Sequence, residues 1–330
     1  MVGFLAGVLD ATIRAATPLL LASLGELISE RGGVLNLGVE GMMLVGALVG
    51  FAVTVVTGNP YLGFLAGATA GAAMAAVHAF LTVTLKADQV ISGVMLTLLG
   101  TGVTTYFGQA WVSKTIDGFD KVLLPVLGPL FVDVPVVGEA LFRNTPTDFL
   151  AFALVPVVWY FLFRTNVGLE LISVGEDPET ADTMGVPVFR TRYLAVLLGG
   201  AFAGAAGAHL SLAFSKLWVT DMVAGRGWIA IALVIFAQWR PARALVGALL
   251  FGGLDALALR SQSLSIAVGP EFPLAETVNA GLGVLTHPII MSTYPYLVTI
   301  LVLVAVSTGE LRERAGAPSA LLKAYSRELD

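Results

Sequence analysis

From Gly41 to Leu85 the chain carries no Asp, Glu, Lys or Arg. A water-exposed surface needs charge at far shorter intervals, so a soluble domain does not account for this stretch. A membrane-spanning helix needs ~20 apolar residues, and Thr57-Gly58-Asn59-Pro60 has the chemistry of a turn. The stretch therefore reads as two spans joined tightly. Just ahead of it stand Glu26, Glu30, Arg31, Asn36 and Glu40, interleaved with Gly32, Gly33, Gly38 and Gly41. Polar groups and glycines beside a span mark a discontinuous helix that lines a solute path. The break is expected near residues 32–41.

The same economy of charge runs through the whole chain. With 57% hydrophobic and 12% charged residues, it falls in the class of all-α polytopic membrane proteins. Hydrocarbon-length runs predict about 8–10 spans. Nine are placed at residues 8–28, 39–57, 61–85, 90–110, 147–163, 193–214, 226–239, 242–260 and 290–308. The seventh is short and opens on Gly225 and Gly227, so a re-entrant or broken helix is expected there. The organisation is one transmembrane domain, 1–308, and a tail, 309–330. The N-terminal segment lacks a basic stretch ahead of its apolar run and reads as a retained first helix. Three ladders of small residues, Gly46/Gly50, Gly63/Gly67/Gly71/Ala75 and Gly200/Gly204, repeat every fourth residue. Each lies on one helix face and is expected to pack helix on helix.

The absence of cysteine excludes disulfides and thiolate chemistry, and a net charge of −5 argues against nucleic acid as a partner. His78, His209 and His287 are scattered with no carboxylate at metal or triad spacing, so neither metal nor cofactor is expected. There is no GxxxxGK[ST] phosphate loop, no HExxH and no GxSxG, which removes the ATPase, protease and lipase readings. Basic residues cluster in three places: Arg164, Arg190 and Arg192; Arg240 and Arg243; and Arg312, Arg314, Lys323 and Arg327. With nine spans these share one side, which the positive-inside rule makes cytoplasmic, tail included. Trp111, Trp159, Trp228 and Trp239 lie near span ends and read as interfacial anchors.

The connection from Gly168 to Arg192 holds a second signal. Asp177 suits an N-cap, Pro178 the first helical position, and Gly185 with Pro187 a stop. A short helix over 178–184 follows, either packed along the interface or docked against a partner. Two stretches, GGVLNLGVEGMM and AGRGWIAIALV, share a glycine-rich polar lead into an apolar helix, as paired interrupted segments of a transporter do.

Three segments, GELISERGGVLNLGVEGMMLVGA, GEDPETADTMGVPVFRTRYLAVLLGGAFAGAAGA and GRGWIAIALVIFAQWRP, occur in the order in which similar segments occur in ABC-importer permeases. The chain resembles the branched-chain amino acid and simple-sugar subgroup, and within it the permeases of bacterial nucleoside importers. That resemblance implies the type II importer fold and a pathway formed with a second permease subunit. It also implies cytoplasmic ATPase subunits and an extracytoplasmic solute-binding lipoprotein. The 178–184 helix, with Gly175, Asp177, Pro178, Ala181 and Gly185, matches the position of the coupling helix that meets the ATPase. GGVLNLGVEG matches the broken helix of the pathway.

For the pathway, Asn36 is the first candidate, because an amide both donates to and accepts from a nucleobase edge or a sugar hydroxyl. Its alternative role is to cap the next helix. Glu40 either meets a ribose hydroxyl or holds free N–H groups of the broken helix, the latter favoured because a charge at membrane depth needs fixed partners. Met43 either lines an adaptable apolar passage or packs between helices. Glu26, Glu30 and Arg31 are expected to pair with one another. The expected function is import of nucleosides by the permease subunit of an ATP-driven transporter. Simple sugars or branched-chain amino acids are alternative solutes. A stand-alone secondary transporter, ion-coupled through Asp255 or Glu40, is the rival class.

Overall fold

A computed structural model describes residues 2–261 and 316–326, with scattered positions between 279 and 304. Its described part is a bundle of apolar helices. Seven are long and apolar enough to cross a membrane, and an eighth, Arg226–Ala237, is shorter. The predicted span at 290–308 lies largely outside the described residues.

Local chemistry sets the helix ends. Helix α1 covers Val2–Arg31 and α2 covers Val39–Thr57. The turn after α2 forms as its residues dictate: left-handed Gly58 donates its N–H to the Thr54 carbonyl, and the Asn59 side chain accepts from the N–H groups of Tyr61 and Leu62. That caps α3, Pro60–Ala79, which a π-helical turn extends to Thr84. Asp88 caps α4, Gln89–Gly108. The long connection that follows folds into short pieces: β1 (Val122–Leu123), α5 (Leu127–Phe131), α6 (Val137–Phe142) and β2 (Arg143–Asn144). The two strands pair antiparallel, Val122 opposite Asn144. Thr145 and Asp148 close a capping box on α7, Pro146–Arg164.

The 168–192 connection carries two helices. Besides α9, Pro178–Thr183, an amphipathic α8 spans Asn166–Glu176 and buries Gly168, Leu171, Val174 and Gly175. Then come α10, Val188–His209, with a π-helical turn to Phe214, α11, Arg226–Ala237, and α12, Pro241–Ser261.

Helix α10 sits at the centre, packed against α1, α2 and α3. The glycine ladders make this possible by meeting one another. A Cβ at Gly46 would strike the Gly204 backbone, and one at Gly71 the Gly200 carbonyl. Close backbone approach through small residues substitutes for the hydrophobic drive that lipid does not supply.

Candidate functional site

Between α1 and α2 the chain runs seven non-helical residues, 32–38; the N–H groups of Gly32, Gly33 and Val34 bond back to the last carbonyls of α1, and Gly32, Gly33, Val34, Asn36 and Gly38 are buried. Irregular backbone inside a membrane protein must have its polar groups satisfied by protein. Here side chains from three spans do so. Ser29 Oγ donates to the Val34 carbonyl at 2.8 Å. Gln89 Oε1 accepts from the Leu35 N–H at 2.8 Å, and His78 Nε2 lies 3.0 Å from the Leu35 carbonyl. Glu26 Oε1 accepts from the Asn36 N–H at 2.8 Å, and Thr97 Oγ1 donates to the Leu37 carbonyl at 3.0 Å. The Asn36 side chain folds back locally: Oδ1 accepts from the Gly38 N–H at 2.9 Å, and Nδ2 lies 3.3 Å from the Met42 sulfur.

This connector delivers Glu40, in the first turn of α2, to the start of α11. Glu40 Oε1 accepts from the Gly225 N–H at 2.8 Å and Oε2 from the Gly227 N–H at 2.6 Å. Gly225 takes φ 83°, a left-handed geometry that turns its N–H toward the carboxylate. The free N–H groups and positive dipole end of a helix are favourable for an anion, and here the anion is supplied within the protein. The two glycine-rich leads thus meet in space.

Of the three residues expected to pair, Glu26 and Glu30 do lie within side-chain hydrogen-bond reach of each other, whereas Arg31 pairs with neither. Beyond that, Glu26 reaches the connector, Glu30 accepts from the Trp239 indole N–H at 2.6 Å, and Arg31 donates to the Trp239 carbonyl at 3.4 Å and approaches Glu176 at 3.8 Å. Trp239 is buried, so it is a core hydrogen-bond donor rather than an interfacial anchor.

A second cluster surrounds α9. Asp177 Oδ1 accepts from the N–H groups of Glu179 and Thr180, and Oδ2 accepts from the Thr180 hydroxyl at 2.5 Å. These bonds, the Thr180 hydroxyl foremost, hold the Asp177 carboxyl below its ordinary pKa. Ala181 points inward and packs with Val174, Val188 and Tyr325. The short helix therefore buries its inner face against its own chain. Its cover includes the tail: Tyr325 Oη donates to Asp182 at 2.8 Å, the Ala320 N–H to the Gly175 carbonyl at 2.9 Å, and Arg192 to the Lys323 carbonyl at 3.1 Å. Tail segment 316–326 and the α8–α9 connection thus share one face of the bundle. Outward from it project Glu179, Thr180, Thr183 and Met184, the last 81% exposed.

A family model described as the permease component of branched-chain amino acid transport systems matches residues 8–307. The chain belongs to this permease family. It is 66% identical, over 99% of both chains, to a putative glucose ABC transporter permease of Haloferax volcanii. It is 36% identical to the guanosine ABC transporter permease of Bacillus subtilis, over 97% of this chain and 96% of that one. A nucleoside ABC transporter permease of Lactococcus lactis is 34% identical over 87% and 88%.

In this permease the sequence-predicted residues divide in two. Asn36, Glu40 and Met43 come together in the interior, at 0%, 5% and 0% exposure. None of them lines the clefts beside Arg31 and Trp159, Thr54 and Thr115, or Asp10 and Lys121. Gly175, Asp177, Pro178, Ala181 and Gly185 lie together at α8–α9, 175 and 181 facing in and 177 and 185 facing out. Sequence reasoning missed α8, although Leu171 and Val174 at helical spacing behind the Thr165 cap signalled it. It also missed Gln89, the Leu35 carbonyl as the partner of the core histidine His78, and the tail contacts, which pair residues far apart in the chain and leave no local signature.

Proposed function

We propose that this permease is the membrane-spanning subunit of an ATP-driven importer of small polyhydroxylated solutes, with a simple sugar as the first reading. The observation that carries the solute class is 66% identity, over 99% of both chains, to a putative glucose permease. Import of nucleosides is the second reading, favoured by the guanosine and nucleoside permeases at 36% and 34% identity. Both solute classes present sugar hydroxyls, which amide and carboxylate groups recognise.

In this reading the protein lies in the cell membrane with α8, α9 and the tail on the cytoplasmic side. ATPase subunits supply the hydrolysis, since the chain has no phosphate loop of its own. Helix α9 is the element they grip. A six-residue helix with a tied N-terminus, one buried alanine and an exposed Met184 at its end is built to pass on a push. An extracytoplasmic binding lipoprotein delivers the solute. A second, related permease subunit completes the pathway. The connector with Asn36, together with the start of α2 that carries Glu40 and Met43, is the part of this chain that would alternate between states.

Reconstitution with the cognate ATPase subunits, second permease and binding protein tests this. Labelled glucose should accumulate in proteoliposomes only with ATP; accumulation of guanosine alone would select the second reading. Solute movement without ATP would favour the secondary transporter and sink the proposal.

A further inference from the structure

On the α9 side of the bundle, the ends of α1, α7 and α12 enclose a cleft of about 520 Å³. Its polar lining is arginine: Arg31, Arg164, Arg240 and Arg243, with Trp159 and Phe163 as the aromatic wall. The volume falls in the ~300–1,000 Å³ range of small-molecule sites. The guanidinium of Arg31 lies 6.0 Å from the Phe163 ring centre and that of Arg164 5.5 Å from the Trp159 ring. Such stacking holds an arginine flat and leaves the edge of Arg164 for an oxyanion, whereas Arg31 already directs its terminal nitrogens at the Trp239 carbonyl and Glu176.

Charge in the cleft is not balanced from within. Glu176 approaches Arg31 at 3.8 Å, but among the described residues no carboxylate forms an ion pair with Arg164, Arg240 or Arg243. Arg243 instead donates to the Gln238 amide oxygen. The Nε of Arg31 is buried without a hydrogen-bond partner. Four guanidinium groups around one cavity repel one another unless an anion joins them, and phosphate is the group their planar forks fit best.

The walls indicate which phosphate. α1, α7 and α12 are all candidate spans, so a cleft at their ends sits at headgroup depth. Apolar side chains continue from it toward the middle of the membrane. On α12 the exposed Val246 and Leu250 follow Ala242 and Arg243 at helical spacing; on α7 Pro156 and Phe152 precede Trp159 and Phe163 in the same way. A soluble phosphate compound has no use for that surface, whereas acyl chains do. We infer that this cleft is a headgroup site for an anionic phospholipid in the leaflet on the α9 side.

The full-length permease in neutral detergent, titrated with phosphatidylglycerol and followed by native mass spectrometry and melting temperature, tests this. Phosphatidylglycerol should be retained and should raise the melting temperature, and phosphatidylcholine should do neither. Arg240→Gln/Arg243→Gln should weaken retention about 30-fold, from the usual contribution of each arginine near an anionic surface. If that variant melts poorly without lipid, Arg164→Gln, at an exposed helix end, should weaken retention about fivefold. Unchanged retention in a folded variant, or equal retention of phosphatidylcholine, would overturn the assignment. So would competition by millimolar inorganic phosphate, which would make this a soluble-anion site. Displacement of the lipid by ATPase subunits would give the arginines to a protein partner instead.

Discussion

The Glu40 carboxylate accepts a 2.6 Å hydrogen bond from the backbone N–H of Gly227, on a helix that begins 186 residues later in the chain, at Arg226. Its other oxygen takes the Gly225 N–H. One side chain thereby ties the start of α2 to the start of α11 and occupies the anion position that α11 creates.

Removing that carboxylate leaves two donors without acceptors in a site where Glu40 is 5% exposed. Glu40→Ala should destabilise the permease by about 2–5 kcal/mol, each orphaned N–H contributing its desolvation cost. Glu40→Gln keeps one acceptor and should lose less. Unfolding midpoints in detergent check the order wild type, Gln, Ala. If Glu40 serves the solute alone, uptake falls while all three midpoints coincide.

The helix packing predicts opposite outcomes at two glycines. At Gly204 of α10 a Cβ would meet the Gly67 carbonyl and the Gly71 backbone, whereas at Gly102 of α4 nothing lies within 4 Å. Gly204→Ala should therefore cost about 1–3 kcal/mol through overpacking. Gly102→Ala should be neutral or stabilise by up to ~1 kcal/mol through helix propensity. Thermal melts of both single variants decide it, and equal effects would mean that α10 and α3 do not approach through their glycines.

These two glycines also mark how far the sequence could be read. Spans follow from local composition: the run from Val39 to Thr57 was placed to the residue, because a hydrocarbon-length segment bounded by Gly38 and the Gly58-Asn59-Pro60 turn has no other outcome. The ladder Gly200/Gly204 announced a packing face by its spacing, but not which helix it meets. The partners of Leu35, supplied by Gln89 and His78, and of Glu30, supplied by Trp239, arise only when distant segments assemble. Met184 closes the helix expected over 178–184, but its outward projection follows only from the fold, which turns Ala181 inward.

Acid should release the cap of α9. The folded pKa of Asp177 is depressed, first by the Thr180 hydroxyl and then by the Thr180 N–H. A depressed carboxylate stabilises fully above its unfolded value of about 3.9, and that contribution is lost as pH falls through the lower folded value. Carbon NMR of the Asp177 carboxyl should therefore titrate below the ordinary aspartate value, and amide exchange at Glu179 and Thr180 should quicken over the same window. In Asp177→Asn, whose amide still caps, that pH dependence should vanish. Titration at the ordinary value would mean the cap bonds do not hold in solution.

The tail contact makes the last prediction, because it decides whether α9 is held from one side or two. Tyr325 is 7% exposed, packs with Ala181 and Val174, and donates its hydroxyl to Asp182 at 2.8 Å. Tyr325→Phe removes the hydroxyl and keeps the ring. The loss of one such bond should speed exchange of the α9 amides about two- to tenfold. Tyr325→Ala also removes the packing, and exchange should rise by more than ~30-fold if the ring is what restrains the helix. On the proposed role of α9, a helix freed on its tail side transmits a push poorly, so stimulation of an ATPase partner by solute should fall in the same order while the melting of the spans stays unchanged. Fast exchange with full stimulation would separate the two: the tail would then order α9 without contributing to its action on the ATPase.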